Sequence, residues 1–359
     1  MAPTIPTLFL LFLSSKFPYS TAQTWIQSGY WFSGSGFPVS DINSALFTHL
    51  ICAFAGLNNS TYQLSISSSD AQSFSNFTST VKQKNPTVTT LLAIGGGSVK
   101  FSTFSSMVSQ SEFRKSFIDS SIETARSYGF NGLDFWWVSV NTSSEMTNMA
   151  TLFDEWRLAI ELESRNSSGS PLILTMAVRY SPLLDNASFP IESVQKNLNW
   201  VHVTASDYYL PTWWNYTAAF AALYAPESDM STDYGINTWI NSGLPANKLV
   251  LGLPFYGYAW TLVNPDDNSV GAPAKGAAIT DEGDMSYKEI KGYIQRHGAV
   301  TEYDATYVMN YCVVGSSWIA YDDVDVVKIK VAYAKKMNLL GYFVWQVPND
   351  DDWVLSQAG

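Results

Sequence analysis

The chain has 359 residues, of which 14% are charged, and a formal net charge of −11. An average domain carries roughly 25% charged residues, so the polar surface here leans on Ser, Thr, Asn and Tyr, with attached sugar as a supplement. The negative balance excludes a nucleic-acid partner, because there is no phosphate-neutralising basic face, and two cysteines exclude a disulfide-stapled scaffold.

At the N-terminus, an apolar run from Leu8 to Leu13 precedes the small residues Ser20-Thr21-Ala22. That is the pattern of a secretory signal peptide cleaved near Ala22. A positive n-region is missing and Lys16 follows the run, so a signal anchor is the competing reading. The run is much shorter than the roughly 20 residues of a membrane span, and no later stretch is apolar enough for one. The expected organisation is a signal peptide over 1–22 and one domain over 23–359, secreted to the extracellular space (apoplast) or the vacuole.

Apolar, β-branched and aromatic runs then recur near 25–31, 47–55, 88–94, 130–138, 172–178, 199–209, 249–256 and 339–346. Several are continuous rather than alternating, as suits parallel strands covered on both faces. Between them lie helical patterns: Phe113, Phe117 and Ile122 in one segment, Leu152, Phe153, Trp156, Ala159 and Ile160 in the next. Eight strands with intervening helices in this length predict a (β/α)8 TIM barrel. An open doubly wound sheet is the alternative, but Gly95-Gly96-Gly97 is not a dinucleotide fingerprint. The last two strands are too far apart for one crossover helix. The stretch 261–324 therefore reads as a small α+β insertion walling the barrel mouth.

Seven Asn-x-Ser/Thr sequons, at Asn58, Asn59, Asn76, Asn141, Asn166, Asn186 and Asn215, fit a secreted glycoprotein. Cys52 sits in an apolar strand run and reads as a small buried hydrophobe, with pairing to Cys312 as the other reading. His49, His202 and His297 are scattered, with no ligand spacing, so neither metal nor cofactor is expected.

Gly29-Tyr30-Trp31, Phe47-Thr48-His49-Leu50, Leu92-Ala93-Ile94-Gly95-Gly96-Gly97 and Gly129-Phe130-Asn131-Gly132-Leu133-Asp134 occur in that order. Leu251-Gly252-Leu253-Pro254-Phe255-Tyr256-Gly257, Trp318-Ile319-Ala320-Tyr321-Asp322-Asp323 and Gly341-Tyr342-Phe343-Val344-Trp345 come after them. Together they resemble plant class V chitinases of glycoside hydrolase family 18 over nearly all of the chain after residue 22. The resemblance implies Asp-x-x-Asp-x-Asp-x-Glu on the fourth strand, with the Glu as proton donor and the third Asp holding the substrate's N-acetyl group. This chain carries Asn131, Asp134, Trp136 and Val138 at those positions. The family's Met-x-Tyr-Asp on the sixth strand becomes Thr204-Ala205-Ser206-Asp207.

Valine has no ionisable group, and a positioned general acid contributes on the order of 10²–10⁴ in rate. Two other carboxylates are candidate substitutes. Glu145, however, follows Thr142 in a capping-box arrangement, and Glu112 opens another helix and reads as solvated. The catalytic pair is thus read as lost at Val138 and Trp136, with Asp134 and Asp207 as remnants. Trp136 is expected to fill the acetamido pocket, with the small Thr204 and Ser206 making room for it. The chain is accordingly expected to be no enzyme but a chitinase-like lectin. Its partners would be chito-oligosaccharides or N-glycans, taken on Tyr30, Tyr209, Trp213, Trp318 and Trp345. Trp31 and Trp214 lie in comparable positions. The alternative is a protein-interaction module, such as a receptor-type ectodomain or a glycosidase inhibitor; residual chitinase activity is the third reading.

Overall fold

A computed structural model describes residues 25–183 and 187–359. The signal-peptide reading and the sequon at Asn186 fall outside these residues. Eight parallel strands close on themselves. They are β1 (Ile26–Phe32), β2 (His49–Leu57), β3 (Thr89–Gly95), β4 (Gly132–Trp136), β5 (Ile173–Arg179), β6 (Trp200–Thr204), β7 (Leu249–Pro254) and β8 (Gly341–Trp345). Each pairs with the next in sequence. The ring closes through β1, which pairs with β2 at Ser28↔His49 and with β8 at Ile26↔Gly341. This is a (β/α)8 barrel, and the active-site end of that architecture is the C-terminal rim of its strands.

Helices α1 (Ala71–Lys84), α2 (Phe101–Ser109), α3 (Ser111–Ser127), α4 (Ser143–Ser167), α5 (Ile191–Asn197) and α6 (Thr232–Asn241) run between the strands. Each presents its apolar stripe to them. On α4 the buried face is Met149, Leu152, Phe153, Trp156 and Ile160, a 3.6-residue period. Alternation along each strand divides the core in two. Leu133 and Phe135 of β4 pack outward among helix residues, whereas Tyr30, Ile51, Ala93, Val250 and Phe343 fill the barrel interior.

Between β7 and β8 an antiparallel sheet is inserted, built from Tyr256–Leu262, Ala274–Ala277, Asp284–Ser286, Thr301–Asp304, Met309–Val314 and Ser317–Tyr321. It carries helix α7 (Tyr287–His297), and helix α8 (Val324–Lys336) leads back to the barrel. The insertion starts at Tyr256, five residues earlier than the sequence suggests. The apolar run 249–256 is one stretch in sequence but two strands in space, parted at Phe255, whose N–H donates to the Trp345 carbonyl (2.8 Å). Cys52 lies in β2 and Cys312 in the insertion sheet; both are buried and free.

Candidate functional site

The site grows from β4. Asp134 and Trp136 share its inward face, one turned into the barrel and the next at the mouth. Asp134 is fully buried, and a buried carboxylate is tolerated only when it is well hydrogen-bonded. Its Oδ2 accepts the Tyr30 hydroxyl (2.7 Å), and its Oδ1 accepts the Thr175 hydroxyl (2.6 Å). His202 Nδ1 lies 2.9 Å from the same Oδ1, while His202 Nε2 accepts the Trp200 indole N–H at 2.9 Å. The ring therefore has its proton on Nδ1, directed at Asp134. Burial first, and then the neighbouring Asp134, push the Tyr30 hydroxyl well above its ordinary pKa.

Trp136 lies against three rings: Tyr30 and Phe54 edge-on, with centroids 5.2 and 5.3 Å away, and Trp345 tilted at 5.2 Å. Phe54 stacks on Trp345 at 5.7 Å. The backbone at and just after the end of β3 makes room for this wall with two glycines at positive φ. A Cβ on Gly95 (φ 118°) would stand 2.3 Å from the Trp136 carbonyl, and one on Gly96 (φ 66°) 2.5 Å from the Phe54 ring. The strand ends at Trp136, so Val138, expected inside it, lies half-buried in the following turn.

The expectation that Trp136 fills the pocket is corrected. Its indole leans on Tyr30, Phe54 and Trp345, and a cavity of about 80 Å³ remains on the β6–β7 side. That is space for two or three waters, or for one small substituent of a ligand. Trp136, Thr204, Ser206, Asp207, Tyr256 and Trp345 are among its walls. The Thr204 hydroxyl is turned away to the Val178 carbonyl (2.9 Å). Ser206 Oγ lies 2.9 Å from the Tyr256 hydroxyl, which donates to Asp207 Oδ1 at 2.8 Å, so protons run Ser206 to Tyr256 to Asp207. Asp207 keeps an exposed surface at the mouth, with protein packed closely around its carboxyl. That packing raises its pKa above the ordinary range, against hydrogen bonds from Tyr256 and Tyr258 that lower it. Asp207 is the ionisable carboxyl lining this cavity.

Outside the cavity the β6 loop carries an aromatic rim. Tyr209 is half-buried, and Trp213, Trp214 and Tyr216 are 53%, 36% and 48% exposed. Trp214 lies 4.9 Å from Tyr209 and 6.0 Å from both Trp213 and Tyr216. Two ligand candidates are corrected. Tyr30 is buried beneath Trp136, and Trp318 is buried in the insertion core against Trp260 and Tyr311, so neither offers a ring face to a ligand. Trp31 is likewise buried, its indole donating to the Phe37 carbonyl (2.8 Å). Trp345 remains half-buried at the cavity floor.

Glu145 closes a capping box with Thr142 at the start of α4 and also accepts the Ser105 hydroxyl. Burial alone would raise its carboxyl, but the Ser105 and Thr142 hydrogen bonds outweigh it and hold the pKa below the ordinary value. Glu112 is exposed in the first turn of α3. Sequence reasoning missed Phe54 and Tyr256. The signal for both was their place near the end of an apolar run, 47–55 and 249–256, because this architecture builds its sites where its strands end. Among the described residues no group of three or more His, Cys, Asp or Glu is placed to hold a metal ion.

A sequence profile described as "Glycosyl hydrolases family 18" matches residues 19–350. The chain belongs to glycosyl hydrolases family 18. It is 48% identical over 340 residues to a class V chitinase from Arabidopsis thaliana, covering 94% of this chain and 90% of that protein. Among solved structures, it is similar to a class V chitinase from Nicotiana tobaccum in complex with NAG4. The TM-score is 0.92 and the identity 47%, over 93% of this chain and 97% of that one. It is also similar to a chitinase-like agglutinin from Robinia pseudoacacia, with a TM-score of 0.87 and 45% identity over 93% and 98% of the two chains.

These relatives correct one expectation. The residues at 136 and 138 were grounds for reading the chain as no enzyme. Proteins sharing nearly half of its residues over more than nine tenths of its length are named chitinases, one of them solved with a chitin oligomer. They point to a glycoside hydrolase. Within this family 18 chain, the fold and the mouth are in place, and Asp207 is the carboxyl facing the cavity.

Proposed function

We propose that this chain is a secreted carbohydrate-binding member of family 18 that takes chito-oligosaccharides across the barrel mouth. The observation that carries this reading is a polar cavity at the barrel mouth, with exposed aromatic rings on the β6 loop that leads away from it. Ser206, Tyr256 and Asp207 offer hydroxyls and a carboxyl within an 80 Å³ cavity floored by Trp345, and Trp213 stands exposed beyond it. Apolar walls with a few convergent polar groups are the usual make-up of a small-ligand site. Aromatic rings give a sugar's C–H face a flat apolar partner while their polar tips stay wet. The relatives support the class of ligand, since one was solved with NAG4 and another is named an agglutinin.

The test is calorimetric titration of the secreted protein with N-acetylglucosamine tetramer and, in parallel, with cellotetraose. Binding of the first and not the second is expected. Trp345→Ala should weaken it about tenfold, the loss of roughly 1.4 kcal/mol typical of one anchor ring. The same solutions, separated by chromatography, read any shortening of the oligomer. Absence of heat with every chito-oligomer at millimolar concentration would sink the proposal.

A further inference from the structure

Six of the seven sequon asparagines lie on described residues, and all six are exposed. Their surroundings differ. Asn58 Oδ1 accepts the N–H groups of Ser60 and Thr61 in a turn, and Asn59 Oδ1 accepts the Thr103 hydroxyl. Asn76 and Asn166 lie on helices α1 and α4, and Asn141 in the turn before α4. Asn215 alone among them stands inside an exposed aromatic run, Trp213-Trp214-Asn215-Tyr216, where the three rings leave 53%, 36% and 48% of their surface in water.

Its backbone is fixed. The Asn215 carbonyl accepts the Ala274 N–H (2.8 Å), Tyr216 bridges to Pro273, and the Thr217 N–H donates to the Ala272 carbonyl (2.9 Å). On the side of Trp214 and Tyr216 opens a hollow of about 230 Å³, walled also by Tyr209 and Tyr307, with Glu227 and Ser228 on its polar edge; Asn215 and Trp213 are not among its walls. Pockets for drug-sized ligands run roughly 300–1,000 Å³, so this hollow suits a single sugar ring. A pyranose tethered at Asn215 would meet the exposed faces of its neighbouring rings, with the hollow beyond them on the Trp214 and Tyr216 side.

We propose that Asn215 carries an N-linked glycan whose first N-acetylglucosamine lies on the Trp213, Trp214 and Tyr216 rings and covers part of the rim. In the transfer, Asn215 Nδ2 forms a bond to the anomeric carbon of a lipid-pyrophosphate-linked oligosaccharide. The bond from that carbon to the pyrophosphate oxygen breaks, the lipid pyrophosphate leaves with the bonding pair, and Nδ2 gives up one proton to a base. The consequence for ligand access rests on the sugar-binding reading of the rim. The seating of the glycan on the rings does not.

The experiment uses the full chain secreted from plant or insect cells. Glycopeptide mass spectrometry should find Asn215 occupied. Under native conditions peptide N-glycosidase should release its glycan about tenfold more slowly than the one at Asn166, because the seated state must open first. Trp213→Ala with Trp214→Ala should abolish that protection; Trp213→Ala alone, at an exposed ring, should reduce it and guards against misfolding of the double variant. An unoccupied Asn215, or a glycan released as fast as that at Asn166, overturns the proposal. In the chito-tetramer titration, Asn215→Gln should bind about tenfold more tightly than the glycosylated chain. Equal binding by both overturns the shielding of the rim. Failure of both to bind counts against the sugar-binding reading alone, and the release rates still decide where the glycan lies.

Discussion

Asp134 is held by groups that are remote in sequence, with Tyr30, Thr175 and His202 lying 104, 41 and 68 residues away. Removing an acceptor shared by several buried donors leaves each of them unpaired, at roughly 1–3 kcal/mol per group. Asp134→Ala should therefore lower stability by about 3–5 kcal/mol, read as a fall in the urea midpoint. Asp134→Asn, which keeps an acceptor oxygen, should cost less. If the two variants unfold alike, the network is not what fixes the barrel interior. The position of Asp134 was legible from the strand motif, but the network was not. Hydrogen bonding across a barrel depends on which inward residues of different strands reach the same level, and no local spacing encodes that. Trp136 teaches the same point. Its size was plain from sequence, but the direction of its lean depends on Phe54 and Trp345, from β2 and β8.

At the scale of elements, the start of α4 was readable from the Thr142–Glu145 spacing. Thr142 accepts the Glu145 N–H, and Glu145 returns a hydrogen bond to the Thr142 backbone; Ser286 and Glu289 repeat the arrangement on α7. Loss of an N-cap hydroxyl typically costs about 1 kcal/mol. Ser286→Ala should thus lower the melting temperature by a few degrees, and Thr142→Ala likewise, both measurable by calorimetry. No change in either would remove the capping role. Strand ends were less readable. The runs 130–138 and 199–209 each look like one strand, yet β4 stops at Trp136 and β6 at Thr204. Pairing ends there, with Trp136 facing Gly95 and Ala177 and with Thr204 facing Arg179. Beyond those residues the chain is free to turn into the mouth, and Asp207 does so in the left-handed region (φ 62°).

At the scale of the molecule, barrel and insertion share a second core. Tyr208 and the alanines at 218, 219, 221 and 222 of the β6 loop pack with Trp260, Trp318 and Ala320 of the inserted sheet. Lys330 of α8 ties into this seam through buried Asp322 and the Ala221 carbonyl (2.6 Å). At the barrel's other end, His49 packs edge-on against Trp200, with Nδ1 2.8 Å from the Thr48 hydroxyl. Burial, and then the neighbouring His202, lower its pKa to about 4. In the unfolded chain an imidazole titrates near 6.5. Between these values the unfolded state holds a proton that the folded state lacks, so stability falls as pH falls through this window. The slope contributed by one such group is at most about 1.4 kcal/mol per pH unit. Thermal midpoints between pH 6.5 and 4 should drop in the native chain, and His49→Gln should flatten the drop; an unchanged slope would discount the group.

The sequence by itself determined the barrel, the insertion and the family resemblance. Apolar runs of strand length recurring at βα spacing bury both faces of a sheet in only a few ways, and short motifs survive in order along the chain. It also determined which side chains stand at 136 and 138, though not their consequence for the site. Tertiary structure decided which aromatic rings are surface and which are core. Trp213 and Trp318 look alike in sequence, and packing against Trp260 and Tyr311 buries the second. It decided, too, that a cavity survives beside Trp136. The volume left by Thr204 and Ser206 opens beside the indole, between β6, β7 and the Trp345 ring, and only the folded barrel brings those groups to one place.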